Sequence, residues 1–346
     1  MPWTKVIIDK ADLDETLGRR GLRGLSYREA LCEAQRQLLE TDKSVFLIGE
    51  GIDDPGGVFG STLNLHKDFP DRVLDMPIAE NGLTGIAMGA AIAGMKPLFI
   101  HMRADFLPMC MDAIVNHAAK WNYMTGGRVG VPLVIRSITG RGWGSAAQHS
   151  QALHALFAHI PGLKVVMPAS PYDAKGLLIA ASEDGNPVLC FEHRWLYDFR
   201  GYVPVEKYSV PLGRGVVRRE GAHVTIIALS LMVYEAAKAT RELAAEGIEA
   251  EIIDPRTIKP LDEEMILSSV KKTGRLIVAD TGSRTGSFAC HIAALAAEKA
   301  WGDLKAPVRL VCMPDTPVPA SPALEKAYYR GKDELISAAR ELCRKV

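Results

Sequence analysis

Glu80 stands at the start of a glycine-rich apolar segment, in the run MPIAENGLTG. The residues from Gly82 to Gly94 read GLTGIAMGAAIAG, which predicts a helix that is small and apolar on every face. Such a helix belongs in a protein interior, so we expect the carboxylate at its start to be poorly solvated. A poorly solvated carboxylate beside a cleft is a candidate for proton-transfer chemistry. The alternative is a helix-end carboxylate that only offsets the helix dipole.

Two further segments carry groups that would suit the same site if the fold brought them to it. The run AAQHSQ places His149 after a glycine-rich loop, a plausible way to deliver a histidine to an α/β active site, although Ser150 could simply cap a helix. The run MRADF places Asp105 and Phe106 after a predicted strand, where a helix cap and core packing are the plainer interpretations.

Several other chemistries lack their motifs. The loop GEGIDDPGGVFG, at Gly49–Gly60, carries three acidic residues and does not end in the GK[ST] of a phosphate-binding P-loop. The histidines form no metal-ligand spacing such as HExxH. The sequence holds neither a GxSxG elbow nor a CxxC pair.

Helix and strand patterns alternate along the first part of the chain. Ser26 and Glu29 predict a capping box for a helix that runs to Leu39. Apolar runs that are typical of buried strands follow at Val45–Gly49, Lys96–Ile100, Val131–Ile135, Leu163–Met167 and Pro187–Phe191. This alternation predicts a largely parallel sheet that is covered on both faces.

A second alternating series follows a break in the pattern. Residues 196–212 are rich in Tyr, Pro, Gly and charged residues, which predicts an extended linker. Beyond it the predicted strands are Val224–Leu229, Glu249–Ile253, Arg275–Val278 and Val308–Val311. The predicted helices are Met232–Glu246, Leu261–Val270 and Ser287–Ala300. We therefore predict two α/β domains, residues 1–197 and 213–346, joined by residues 198–212.

Charge balance and cysteine usage limit the class of protein. The 346 residues include 41 basic and 41 acidic ones, which argues against a general affinity for nucleic acid or anionic membranes. The six cysteines are scattered, as buried reduced thiols of a cytosolic protein would be. No charge-free stretch approaches the ~20 residues that span a bilayer, and the N-terminal residues lack signal-peptide architecture. We expect a soluble, cytoplasmic protein.

Taken together, these segments resemble the β subunits of thiamine-diphosphate-dependent 2-oxo acid dehydrogenases of the pyruvate, branched-chain and acetoin types, within the transketolase-like group. The resemblance spans nearly the whole chain and rests on runs such as LIGEG, DMPIAENGLTGIAMGAAIAGMKP, AAQHSQ, IIDPRTIKPLD and MPDTPVPASPALE. It implies two three-layer α/β/α domains, an N-terminal pyrimidine-binding domain and a C-terminal transketolase-type domain. It also implies decarboxylation of a 2-oxo acid and transfer of the acyl group to a lipoyl carrier.

The resemblance assigns roles to the candidate residues. Glu80 corresponds to the glutamate that hydrogen-bonds the aminopyrimidine of thiamine diphosphate and favours its imino tautomer, so that the cofactor can lose its thiazolium proton. His149 corresponds to the active-site histidine, for proton transfer or for stabilising the substrate carboxylate. The cofactor pocket would further contain Glu50, Ile78, Met102 and Phe106. Some members also hold a structural potassium ion through backbone carbonyls, here those of Leu133, Ala181, Ser182, Asp184 and Asn186.

Part of the family's site is missing from this sequence. The GDG signature with a distant Asn, which binds Mg²⁺ and diphosphate, is not found, because Asp184–Asn186 lies between a predicted helix and a predicted strand. We therefore expect an α-type subunit to hold the diphosphate and Mg²⁺ in an α₂β₂ heterotetramer, and the chain alone to be inactive. A lipoyl acyltransferase is a further expected partner.

Departures from the family pattern leave other functions open. They fall at Ile100, His101, Arg103, Arg141 and Trp143. The arginines and the tryptophan would suit a larger or anionic substrate, and ordinary divergence explains them equally well. The rival functions are the C-terminal half of a split transketolase-like carboligase and a non-catalytic paralogue. Retention of Glu80, Phe106 and His149 argues against the paralogue.

Overall fold

Strands and helices alternate along the chain of the computed structural model, which describes residues 2–9, 13, 15, 17, 18, 21–140 and 144–344. The strands are β1 (Gly24–Ser26), β2 (Val45–Gly49), β3 (Val73–Asp75), β4 (Lys96–His101), β5 (Val134–Thr139), β6 (Lys164–Val166), β7 (Val188–His193), β8 (Arg200–Tyr202), β9 (Val216–Arg219), β10 (Val224–Ala228), β11 (Ala250–Asp254), β12 (Thr257–Lys259), β13 (Leu276–Ser283) and β14 (Arg309–Met313).

The helices connect successive strands. They are α1 (Tyr27–Thr41), α2 (Leu65–Asp68), α3 (Glu80–Ile92), α4 (Ala119–Met124), α5 (His154–Ala158), α6 (Pro171–Glu183), α7 (Met232–Ala245), α8 (Glu263–Thr273), α9 (Phe288–Lys299), α10 (Pro322–Tyr328) and α11 (Lys332–Cys343). A 3₁₀ segment, Ala104–Cys110, and a π-helical segment, Asp112–Ala118, lead into α4. Among the described residues, no helix is both long and apolar enough to cross a membrane.

The strands form two main sheets. The larger has the order β12-β6-β7-β5-β4-β2-β3 and is parallel except for β12, which runs antiparallel to β6. The smaller has the order β14-β13-β10-β11-β9 and is parallel except for β9. Strands β1 and β8 form a separate antiparallel pair. Two largely parallel sheets covered by helices confirm the predicted α/β architecture.

Capping signals in the sequence lie where the helices begin. The Ser26 hydroxyl accepts a hydrogen bond from the Glu29 backbone N–H, and Glu29 accepts one from the Ser26 N–H, so the predicted capping box is confirmed. Ser170 caps α6, with Pro171 in its first turn. The Asp262 side chain caps α8.

Some boundaries differ from the prediction. The strand expected from Val131 begins only at Val134. Strand β12 was not predicted, and although it lies in the second half of the chain it joins the first sheet by pairing with β6. The predicted linker packs against the first domain. Tyr208 stacks on Tyr172 with ring centroids 4.6 Å apart, and the Val210 N–H donates to the Gly176 carbonyl. The domain boundaries themselves stay predictions.

The cysteines are less buried than expected. Cys110 and Cys190 are buried, whereas Cys32, Cys290, Cys312 and Cys343 are only partly buried. All six are free thiols in the described chain.

Helix α3 is buried on one face only. The expectation that it would be buried on every face is therefore wrong for the other face. Leu83, Ala87 and Ala91 are buried, but Ile86 is 53% exposed. Three glycines, Gly82, Gly85 and Gly89, are also exposed. A Cβ atom built on any of them would meet none of the described atoms within 4 Å. The apolar composition of this helix therefore reflects an uncovered surface as well as a core.

Candidate active site

The predicted site residues follow the carboxyl ends of neighbouring parallel strands. Glu50 follows β2, Met102 and Phe106 follow β4, and His149 lies in the loop after β5. Glu80 opens α3, after β3. Carboxyl ends of parallel strands meet at one edge of a sheet, which is where α/β proteins bind their ligands.

Glu80 and Glu50 are electrostatically coupled. Glu80 is the first residue of α3 and only 5% exposed. Burial raises the pKa of Glu50 above its ordinary value, and the negative charge of Glu80 raises it further. The Oε1 atom of Glu50 is buried and has no hydrogen-bond partner among the described residues. A buried carboxyl oxygen without a partner suits a ligand that brings a hydrogen-bond donor or acceptor.

Phe106 and His149 are in direct contact. Their ring centroids lie 5.3 Å apart and the rings meet edge to face. Ala146 adopts a left-handed backbone conformation with φ of 58°, and its carbonyl accepts from the His149 N–H. This conformation is uncommon for a residue with a Cβ, so the turn that presents His149 is held in place by its surroundings.

Asp105 provides part of that support. Its Oδ1 atom accepts hydrogen bonds from the backbone N–H and from the side-chain amide of Gln151, both at 3.0 Å. Asp105 precedes Phe106, and Gln151 follows His149 by two residues. Asp105 therefore clamps the loop of His149 onto the segment of Phe106. The sequence suggested only a helix cap for Asp105, because the hydrogen bond spans 46 positions.

The other two cofactor-pocket candidates lie at the edges of this group. Met102 packs against the loop after β2, since a Cβ on Gly51 would lie 3.0 Å from the Met102 methyl carbon. Ile78 is 80% exposed, just before Glu80. The structure thus brings Met102 next to the Glu50 loop and leaves Ile78 uncovered.

Of the positions that depart from the family pattern, two face the core. Ile100 is buried. His101 is buried, with Nε2 3.7 Å from the Cys110 sulfur, and burial lowers its pKa to about 4. His101 is therefore a neutral core residue at pH 7.

Arg103 lies beside the site and has a neighbour that sequence reasoning missed. The guanidinium carbons of Arg103 and Arg194 lie 5.5 and 4.5 Å from the Phe59 ring centroid. Arg103 also donates to the Gly140 carbonyl at 3.4 Å. Arg194 directly follows β7, a position that could have suggested it. Arg141 and Trp143 lie outside the described residues.

The candidate potassium ligands gather at the opposite edge of the sheet. Leu133 directly precedes β5, and the other four residues, Ala181, Ser182, Asp184 and Asn186, lie at the end of α6 and in the turn to β7. The Leu133 carbonyl accepts from the Val188 N–H, and the Ala181 carbonyl accepts from the Asp184 N–H. Asp184 pairs with Lys164. The Ser182 hydroxyl is buried without a hydrogen-bond partner in the described chain.

The loop of His149 ends at a buried contact between a histidine and an aspartate that joins the two domains. His154 opens α5, and its Nε2 lies 2.9 Å from Oδ1 of Asp280 on β13, with both side chains fully buried. Asp280 also accepts from the backbone N–H groups of Gly282 and Ala289. Burial alone would raise the pKa of Asp280, but His154 and these hydrogen bonds lower it below its ordinary value.

We expect Asp280→Asn to lower the free energy of unfolding by about 1–3 kcal/mol at pH 7, because it removes a charged partner from a buried pair. A carboxyl with a lowered folded pKa stabilises the fold above its unfolded pKa, and this contribution is lost as the pH falls through the folded pKa. The deficit of the variant should therefore shrink below about pH 4. Urea unfolding at several pH values measures it, with the exposed Asp71→Asn as control. An equal deficit at pH 7 and pH 3 would contradict the assignment.

Comparison with known proteins gives a consistent set of relatives. Residues 23–199 match the family model of the transketolase pyrimidine-binding domain, and residues 213–335 match that of the transketolase C-terminal domain. The chain is 46% identical over 329 residues to the acetoin:2,6-dichlorophenolindophenol oxidoreductase subunit beta of Cupriavidus necator, covering 92% of this chain and 97% of that protein.

Other relatives extend this set. The chain is 40% identical over 321 residues to the 2-oxoisovalerate dehydrogenase subunit beta of Bacillus subtilis, covering 92% of this chain and 98% of that one. It is 41% identical over 320 residues to the pyruvate dehydrogenase E1 component subunit beta of Rickettsia bellii, with the same coverage. Among solved structures, a split gene transketolase described as an inactive beta4 tetramer matches with a TM-score of 0.75 and 26% identity, over 93% of this chain and 99% of that one.

Proposed function

This chain belongs to the β subunits of thiamine-diphosphate-dependent 2-oxo acid dehydrogenases, and we propose that its Glu80 activates the aminopyrimidine of the cofactor. The observation that carries the proposal is the buried Glu80 with the partly buried Glu50 at the strand edge, where the negative charge of Glu80 raises the pKa of Glu50. The Oε1 atom of Glu50, which has no partner among the described residues, could form a hydrogen bond with a polar heterocycle bound at this edge. When bound, thiamine diphosphate supplies the carbon nucleophile that attacks a 2-oxo acid.

The residues of this chain would divide the work. Glu80 would hydrogen-bond a ring nitrogen of the pyrimidine, with Glu50 beside it. Met102 and Phe106 provide apolar surface for the ring, with Ile78 at the exposed margin. His149, held edge-on to Phe106, is placed to exchange a proton with the substrate or to bind its carboxylate.

The substrate is the finer part of the proposal. A 2-oxo acid is the class that the family uses, while the Cupriavidus necator relative carries acetoin in its name. The test is turnover by the chain with its α-type partner, using 2,6-dichlorophenolindophenol as electron acceptor and comparing pyruvate, branched-chain 2-oxo acids and acetoin. Dye reduction that depends on added thiamine diphosphate supports the proposal. Activity of the chain by itself would contradict it.

An α-type partner would cover the bare face of α3. That face carries three exposed glycines and Ile86, and Met109, Tyr123 and Met124 are also exposed, at 58%, 88% and 60%. Exposed apolar side chains in this number suit a protein–protein contact. We propose that the partner holds the diphosphate and Mg²⁺, in an α₂β₂ assembly. A similar chain, the split gene transketolase, is described as inactive in the form of a beta4 tetramer.

A lipoyl acyltransferase as acceptor of the acyl group, and a cytoplasmic location, remain parts of the same proposal. Co-purification of the assembled enzyme with a lipoyl acyltransferase from the source cells would test the first. Fractionation of those cells would test the second.

We expect Asp105→Ala to lower kcat about 10-fold, because His149 would lose the clamp that sets its loop. The Km for thiamine diphosphate should change little, since Asp105 does not line the Glu50–Glu80 pocket in this scheme. Gln151→Leu should act in the same direction. The double variant should be no worse than Asp105→Ala, because Asp105→Ala already removes both hydrogen bonds, including the one that Gln151→Leu removes. Fully additive losses would contradict the clamp.

The potassium site is likewise a proposal, supported by the resemblance and by the buried Ser182 hydroxyl, which has no hydrogen-bond partner among the described residues. A bound ion stabilises the folded chain by mass action, so the melting temperature should be a few degrees higher in KCl than in choline chloride of equal ionic strength. Equal melting temperatures would contradict it.

A further inference from the structure

Two of the partly buried cysteines meet at one serine in the second domain. Cys290 lies in the first turn of α9, and Cys312 lies in β14. The Ser287 hydroxyl oxygen is 3.4 Å from the Cys290 sulfur and 3.8 Å from the Cys312 sulfur. One hydroxyl group therefore contacts both thiols, although the two cysteines belong to different elements of the fold.

The Ser287 hydroxyl is turned away from the usual task of a serine at this position. Ser287 is the N-cap residue of α9 and has the extended backbone of a cap, with φ of −63° and ψ of 158°. A serine there usually accepts a hydrogen bond from the backbone of the first helical turn, but the Ser287 side chain makes no capping hydrogen bond. The hydroxyl contacts the two sulfur atoms instead.

The surroundings of this cysteine pair differ from those of the other partly buried thiols. The sulfur atoms of Cys32 and Cys343 contact backbone carbonyls, those of Leu63 and His223. Cys290 and Cys312 are also only partly buried, so a small oxidant can reach them. Disulfides in reducing compartments are usually transient ones that sense or catalyse redox reactions, and two accessible thiols that share one contact suit the first of these roles.

We propose that Cys290 and Cys312 form a reversible disulfide when the enzyme meets a peroxide. The Cys290 sulfur attacks one oxygen of hydrogen peroxide, the O–O bond breaks, and the products are a sulfenic acid and water. The Cys312 sulfur then attacks the Cys290 sulfur, the S–O bond breaks, and the hydroxyl leaves as a second water with the Cys312 proton. The two thiols lose two electrons, which reduce one molecule of peroxide to two of water.

The order of the two steps follows from the setting of Cys312. Burial and the negative charge of Asp280 raise the pKa of the Cys312 thiol to about 12. Cys312 is therefore protonated at pH 7 and attacks peroxide slowly, so the first oxidation falls to Cys290. The second step asks less of Cys312, because a sulfenic acid condenses readily with a thiol held next to it.

The disulfide would form beside the residue that supports the His149 loop. Asp280 accepts a hydrogen bond at 3.1 Å from the N–H of Ala289, the residue before Cys290, and it contacts His154 at the end of that loop. An S–S bond is about 2.05 Å long, so its closure displaces the Ser287 hydroxyl and draws the first turn of α9 towards β14. Oxidation therefore acts on the hydrogen bonds of Asp280. This coupling rests on the proposed function of His149, but the disulfide does not.

The test treats the assembled enzyme with millimolar hydrogen peroxide, blocks the remaining thiols with iodoacetamide and maps the tryptic peptides without reductant. Trypsin releases Cys290 in the peptide 285–299 and Cys312 in the peptide 310–326, so their disulfide appears as one linked pair of peptides. Cys290→Ser and Cys312→Ser each remove one partner. Cys343→Ser is the matched control, because it removes a partly buried thiol of the same domain that lies next to a backbone carbonyl.

We expect the linked peptides in the oxidised wild type and in Cys343→Ser, and their loss after dithiothreitol. Neither Cys290→Ser nor Cys312→Ser should give them. Cys312→Ser should instead leave Cys290 as a sulfenic acid that dimedone labels. Absence of the linked peptides from the oxidised wild type would overturn the proposal, and so would an equal yield of links to the other cysteines. If one of the two serine variants fails to fold, the other still tests the pairing.

Turnover is measured separately, after catalase has removed the peroxide and a desalting column the dithiothreitol. Oxidation should lower dye reduction several-fold in the wild type and in Cys343→Ser, and dithiothreitol should restore it. Cys290→Ser should keep the rate of the reduced enzyme. A disulfide that forms without any change in turnover would retain the site and overturn its coupling to His149. The peptide map is independent of turnover, so it still decides the disulfide if the proposed function fails.

Discussion

Replacing Glu80 by Gln is expected to lower thiamine-diphosphate-dependent turnover of the assembled enzyme by about 10²- to 10⁴-fold, the range for removal of a positioned proton-transfer group. Gln keeps the shape of the side chain but has no carboxyl proton to hold against the pyrimidine. Stability should change little, because the substitution is isosteric. The measurement is the rate of dye reduction at saturating substrate and cofactor.

The control for this variant is Glu263→Gln. Glu263 is also the first residue of a helix, α8, but it is only partly buried and pairs with Lys299 at 2.6 Å. A carboxylate that only offsets the helix dipole contributes about 0.3–1 kcal/mol to stability, whichever helix carries it. If Glu80→Gln and Glu263→Gln behave alike, with small losses of stability and full turnover, Glu80 is a helix-end carboxylate and the assignment fails.

The sequence predicted the parallel sheets well because buried strands and capping boxes are local signals. The Ser26–Glu29 box lies within four residues, and the run Val45–Gly49 is apolar throughout. Pairing between distant residues carries no such signal. Strand β12 could not be assigned to the first sheet from its own sequence, because its partner β6 lies about ninety residues earlier.

The same distinction applies to the site. Glu80 and His149 were found because each stands in an unusual local context, an apolar helix start and a glycine-rich loop. The sequence did not reveal Asp105 as the residue that holds the His149 loop, nor Arg194 as a second arginine that packs on Phe59 beside Arg103. These contacts join segments far apart in the chain.

Helix α3 shows where composition can mislead. Its apolar, glycine-rich sequence predicted burial within this chain. Removing an apolar surface from water is favourable whether the same chain or a partner chain covers it, so composition does not tell the two apart. Gly85 and Gly89 are four residues apart and both lie on the open face. Residues with this spacing share one side of a helix, so the glycines form a groove in which another backbone can approach closely.

We therefore expect Gly89→Leu to leave the isolated chain folded and to weaken its association with the α-type partner by roughly 10- to 100-fold, as overpacking by about 1–3 kcal/mol implies. The free side of Gly89 accepts a Cβ without meeting a described atom, and replacing a helical glycine should even raise the free energy of unfolding slightly. Thermal unfolding of the chain alone and sedimentation of the mixture with the partner measure the two effects.

Ala297→Leu on α9 is the matched control, since Ala297 is exposed on a helix of the other domain. Added bulk there should change neither stability nor assembly by much. The prediction separates folding from association, which no variant of the α3 core could do. Unimpaired assembly of Gly89→Leu would show that the glycine face is not the contact. Turnover would then depend on a partner that docks elsewhere, leaving the open side of Glu80's own helix unexplained.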